Sequence, residues 1–164
     1  MRQVEFVPFR LTEAADIYSI RIEGKEKTEF HEFLINFRSA DDKYLKDDFN
    51  QILASLSTMI NNGIKERHFR PEGNMNDRTY ALPLYTIPRP KQCNGTLRLY
   101  CIRLSDQLLI LGGGGKKITQ TYDEDAVLSD KVQTLQSTDN TLRELEKEGI
   151  DIHQSINNLI INIP

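Results

Sequence analysis

A single α+β domain is the fold this 164-residue sequence predicts, and three observations predict it. Apolar residues recur with period two near the N-terminus. They follow a helical period over residues 28–62, and return to period two over residues 79–111. The length suits one domain with its own hydrophobic core. Hydrophobic residues at 38% and charged residues at 27% place the chain among globular sequences rather than disordered ones.

Each element has its own signal. In residues 4–11, Val4, Phe6, Phe9 and Leu11 mark a strand, and Pro8 assigns it an edge position or a bulge. Residues 17–22 alternate cleanly up to Glu23-Gly24, so the two runs read as a strand pair. Phe30, Phe33, Leu34 and Phe37 then fall on one helical face. Ser39, with Asp42 three residues on, resembles a capping box opening a second helix. That helix carries Tyr44, Leu45, Phe49, Ile52, Leu53, Leu56, Met59 and Ile60 as an apolar stripe, with Leu53 expected at its buried centre, and stops at Gly63. After a polar loop, residues 79–85, 96–103 and 107–111 read as an antiparallel meander whose last strand is buried on both faces. The helical pair is expected to cover one face of this sheet. Leu128, Val132, Leu135, Leu142 and Leu145 mark a further amphipathic helix, and the Ile-rich tail 150–164 is apolar enough to pack on something.

Composition narrows the function classes. The formal charge of -3 and the pI near 5.7 lack the excess of cations usual in proteins that grip a nucleic-acid backbone. No run approaches the roughly 18 apolar residues of a membrane span. The N-terminus lacks the unbroken apolar stretch of a secretory signal, so the expected location is the cytoplasm. Cys93 and Cys101 form neither a disulfide framework nor a metal spacing; Cys101 reads as core and Cys93 as a loop thiol. His31, His68 and His153 are spaced for no metal site, and no cofactor is expected. Asp41-Asp42 and Asp47-Asp48 read as a solvated helix face.

The run Gly112–Gly115 before Lys116 invites a phosphate-loop reading. A P-loop needs glycine where Ile110 stands and Ser or Thr where Lys117 stands. A flexible bend after a central strand is the expectation, with an anion-binding backbone nest as the alternative. The remaining candidate chemistry is basic and aromatic: Arg98, Arg103, Lys116, Lys117 and Tyr122. Arg98 and Arg103 are spaced to point to opposite faces of a regular strand.

The order of these elements carries a resemblance. A helical pair leads to a Tyr-Ala-Leu-Pro-Leu strand, a Leu-Arg-Leu-Tyr-Cys-Ile strand, a tight turn, an aliphatic strand and Gly-Lys-Lys. Over residues 30–122 the chain resembles the RelE/ParE toxin superfamily, and within it the HigB-like, phage-derived branch. The resemblance implies an antiparallel β-sheet packed against an N-terminal helical hairpin. It divides the chain into an extra N-terminal strand pair (1–25), a RelE-like core (26–122) and a helical C-terminal extension (123–164). It also implies a toxin of a bacterial toxin–antitoxin pair, with a helix-turn-helix type antitoxin as partner and no membrane. In a catalytic member, the ribosome and messenger RNA are further partners.

Members of that superfamily that cleave messenger RNA use cations to stabilise the phosphoryl transition state as the 2′-hydroxyl attacks its own phosphate, which is electrostatic catalysis with positioning. Carried over, Arg98, Lys116, Lys117 and Tyr122 are the candidate catalytic residues of a metal-free endoribonuclease, and Arg103, Arg89 and Lys91 the candidate substrate-binding ones. The chain departs from the pattern at Ala81 and Pro83, where the family often has lysine, and at Thr119, where it has arginine. Those departures raise the alternative of a non-catalytic interaction protein that keeps the fold and binds an antitoxin-like or regulatory partner.

Overall fold

The computed structural model describes residues 1–71, 78–86, 88, 90, 95–118 and 126–164. Strands β1 (Arg2–Leu11) and β2 (Asp16–Ile22) come first, then helices α1 (Glu29–Phe37) and α2 (Lys43–Asn62). After a 3₁₀ turn at Glu66–His68 follow β3 (Arg70–Pro71), β4 (Thr79–Leu82), β5 (Thr96–Ser105) and β6 (Leu108–Lys117). Helix α3 (Ala126–Lys147), the short α4 (Ile152–Ser155), a 3₁₀ turn at Ile156–Asn158 and β7 (Ile160–Ile163) complete the chain.

All seven strands form one sheet in the order β3-β4-β5-β6-β2-β1-β7. The class is α+β as expected, but the sheet is mixed rather than antiparallel, because β2 runs parallel to β6 from Asp16↔Leu108 to Ser19↔Leu111. The N-terminal strand pair is therefore no appendage; it extends the β4–β5–β6 meander. The C-terminal extension likewise contributes a strand, β7, paired with β1. Pro8 sits at a bulge, where the β1–β2 register shifts between Pro8 and Arg10.

Strand alternation sorts the core into two layers, one on each face of the sheet. Leu97, Leu99, Cys101, Leu109 and Leu111 pack with Phe30, Phe33, Leu45, Phe49, Ile52, Leu56 and Met59 of α1 and α2. Tyr100, Ile102, Leu108 and Ile110 point the other way, towards Leu128, Val132, Leu135 and Leu142 of α3 and Ile161 and Ile163 of β7. Residues of β6 from Leu108 to Leu111 are at most 2% exposed, the two-sided burial that their unbroken apolar run implies.

Local chemistry fixes the helix ends. The Thr28 side chain accepts from the His31 amide at 3.1 Å and starts α1. Asp42, not Ser39, caps α2, accepting from the amides of Tyr44 and Leu45 at 2.9 and 3.1 Å. Gly63, at φ +96°, ends the helix with its amide on the Met59 carbonyl. Phe30, Phe33 and Phe49 stack in sequence with centroids 6.2 and 6.0 Å apart, joining α1 to α2 on the sheet.

Two expectations for α2 are corrected. Leu53 is 37% exposed, because the buried stripe runs through Ile52 and Leu56, and Leu53 lies one helical step off it. Leu53→Ala should therefore cost under about 1 kcal/mol in a denaturant titration, far below a core leucine. Asp48, read as solvated, is fully buried and accepts the Leu97 amide of β5 at 2.9 Å. It satisfies a strand donor that would otherwise be buried without a partner.

Candidate functional site

The antiparallel register of β5 and β6 brings three of the expected catalytic residues to one end of the hairpin. Arg98 pairs with Gly115, Leu97 with Lys116 and Thr96 with Lys117. The side chains do not share one environment. Lys116 is exposed and Lys117 half-buried. Arg98 is only 4% exposed, lies on the face of Tyr100 and Ile102, and donates from Nη1 to the Leu97 carbonyl at 3.0 Å. Tyr122, Arg89 and Lys91, with Cys93 and Thr119, lie outside the described residues.

Gly112–Gly115 are not a bend. They continue β6 through an irregularity, in which Leu99 pairs with Gly114 and Cys101 already pairs with Leu111. This is a bulge of the kind that turns a strand next to a covering element. The glycines let α3 sit close. A Cβ on Gly112 would lie 2.6 Å from Leu135 Cδ1, one on Gly113 2.9 Å from Lys131 Cδ, and one on Gly115 3.3 Å from Leu128 Cδ2. Leu128 and Leu135 belong to the stripe that the sequence revealed; their seat on the glycines, and Lys131 beside them, were not visible there. Lys131, lying over Gly113, reaches Glu29 Oε1 of α1 at 3.0 Å, and Lys25 approaches Glu29 Oε2 at 3.6 Å. The 3%-exposed Glu29 carboxylate thus joins α1 to α3 around the end of β6.

Arg103 stands towards the opposite end of β5 and does not join the group. Its Nε donates to the Ile64 carbonyl at 3.1 Å, and its Nη2 pairs with Asp106. It clasps the segment after α2 to the β5–β6 turn. Cys101 is fully buried, and desolvation raises its thiol pKa, which keeps it in the unreactive thiol form.

A concavity lined by several charged side chains lies elsewhere. A cleft of about 410 Å³ is lined by Arg78, Ser105, Glu146, Asp151 and His153 among others. On one wall, Asp139 of α3, 1% exposed, holds Arg78 through Nε at 2.8 Å and Nη2 at 2.6 Å. Glu146 adds a contact to Nη2 at 2.9 Å, and Arg143 Nε reaches Asp139 at 3.3 Å. Burial works against the Arg78 charge, but the two carboxylates outweigh it and raise the guanidinium pKa. On the other side, His153 Nε2 lies 2.8 Å from Asp16 Oδ2, and the Tyr18 hydroxyl donates to Asn157 at 3.0 Å. These contacts fasten the C-terminal segment to β2. The charge of Arg78 is thus answered within the fold. Sequence reasoning missed this network: Asp139 and Arg143 leave an i, i+4 signal, whereas Asp16 and His153 are too far apart in the chain to leave any.

Among the described residues, no group of His, Cys, Asp and Glu side chains could hold a metal ion, and no helix is long and apolar enough to cross a membrane. No protein-family model, curated protein or solved structure matches the chain.

Proposed function

We propose that this chain is a non-catalytic interaction protein with a RelE-like fold, which binds an antitoxin-like or regulatory protein partner. The burial of Arg98 carries this reading. Electrostatic catalysis of phosphoryl transfer needs donors within hydrogen-bonding reach of the developing charge. A guanidinium that is 4% exposed and already bonded to the Leu97 carbonyl does not reach a bound phosphate without opening of the sheet face. Arg103 is held by Ile64 and Asp106, and the net charge of -3 opposes broad contact with RNA. The RelE-like part of the reading rests on the motifs of residues 30–122 and on the order of the helical pair and meander. The helix-turn-helix nature of the partner rests on the resemblance alone.

A second reading, a ribosome-dependent messenger endoribonuclease, draws support from the convergence of Arg98, Lys116 and Lys117 at one end of the hairpin. Induced expression in a bacterial host separates the two. The interaction protein leaves growth at the rate of an empty-vector control. Growth arrest with cleaved messenger ends, relieved by Arg98→Ala with Lys116→Ala, overturns it in favour of the nuclease, for which losing either cation lowers the rate about 10²-fold or more.

A further inference from the structure

The two edges of the sheet differ in how they meet solvent. One ends in β3, two residues long and containing Pro71, which has no amide to offer. The other ends in β7, Ile160–Ile163. Arg2↔Ile163 and Val4↔Ile161 are paired positions of β1 and β7, and the Glu23 amide bonds the Gln3 carbonyl on the far side of β1. By alternation, Arg2 and Val4 direct their backbone groups to β7 and are met there by Ile163 and Ile161. The N–H and C=O groups of Ile160 and Asn162 therefore face outward. Within Ile160–Ile163 this edge carries no charged residue, proline or bulge, and the Ile160 side chain, 61% exposed, lies beside Gln3, Glu5, Arg21 and Glu23.

We propose that the β7 edge pairs with β7 of a second copy of this chain, antiparallel about a two-fold axis at Ile161, to give one continuous sheet through a dimer. The outward groups of Ile160 and Asn162 then exchange hydrogen bonds with Asn162 and Ile160 of the other copy, the isologous pattern that a two-fold requires. A strand is the occupant that alternating outward donors and acceptors select. A second copy is favoured because the uncharged Ile-Ile-Asn-Ile segment meets itself without repulsion, although the chain as a whole is anionic. The proposal is independent of the partner reading above, since neither growth nor messenger cleavage enters its test.

Sedimentation velocity of the full chain across the micromolar range provides that test. The expected mass rises with concentration from 18.9 kDa towards twice that value. Asn162→Pro removes an outward amide and Ile160→Lys places a charge on the edge; each raises the dissociation constant about 10-fold or more. Ile35→Lys, on the exposed side of α1, leaves it unchanged. Hydrogen exchange of the unaltered chain gives an arm that no folding defect can blur: the Ile160 and Asn162 amides gain protection as concentration rises. A mass fixed at 18.9 kDa, association that survives Asn162→Pro with Ile160→Lys, or exchange at these two amides that ignores concentration overturns the proposal.

Discussion

Gly114→Ala is expected to destabilise the protein by about 3 kcal/mol or more, near or beyond the upper end of ordinary overpacking. A Cβ at this position would lie 1.9 Å from the Arg98 carbonyl oxygen and 3.0 Å from Leu99 Cα. Both atoms belong to the backbone of β5, paired to β6 on one side and, from Leu99 to Ile102, to β4 on the other, so neither can swing aside as a side chain does. Relief requires breaking the pairing at the bulge on which α3 rests. Gly115→Ala supplies the control. Its Cβ would meet only Leu128 Cδ2 at 3.3 Å, a side-chain methyl that can give by a few tenths of an ångström, and the expected cost is under about 1.5 kcal/mol. Urea titration of both variants checks the contrast. Equal losses at the two positions would show that the close approach of β5 and β6 at Gly114 is misassigned.

Asp139→Ala is expected to cost about 3–5 kcal/mol, the range for removing one partner of a buried ion pair. The Asp139 side chain is 2% exposed and Arg78 22%, so solvent screens the pair little. Without Asp139, Arg78 keeps only the more exposed Glu146 at 2.9 Å among these ion pairs, and the Arg78 amide loses its 3.3 Å acceptor. The loss should persist at high salt, because salt screens exposed charges far more than buried ones. Asp139→Asn keeps the shape and one acceptor oxygen, and should fall between the alanine variant and the original. A loss below about 1 kcal/mol for Asp139→Ala would place the carboxylate at the surface rather than beneath α3.

Much of the fold was legible in local pattern. The helical period of Phe30, Phe33 and Phe37 and the alternation of residues 96–103 depend only on which face must be buried, and both appear as expected in α1 and β5. The parallel pairing of β2 with β6 was not legible, because it joins segments separated by two helices and a meander and leaves no short-range signal. The glycine run was misread for a related reason. Gly112–Gly115 lack side chains because α3 and β5 approach them, a tertiary cause that looks like a flexible bend when the strand is viewed alone. Asp48 and Leu53 exchanged roles because a stripe drawn from residue types ignores a rotation of one residue. In the candidate site, the meeting of Arg98 with Lys116 and Lys117 followed from hairpin register. The burial of Arg98 did not, since a strand sequence does not say which face a later helix will cover.

The proposal that the buried Arg98 serves no phosphoryl chemistry meets its test when the purified protein is incubated with translating ribosomes and messenger ends are mapped by primer extension. Ends indistinguishable from those of ribosomes alone are expected, for the unaltered chain and for Arg98→Ala alike. New messenger ends that appear with the unaltered chain, and vanish with Arg98→Ala while its thermal unfolding is unchanged, would contradict it.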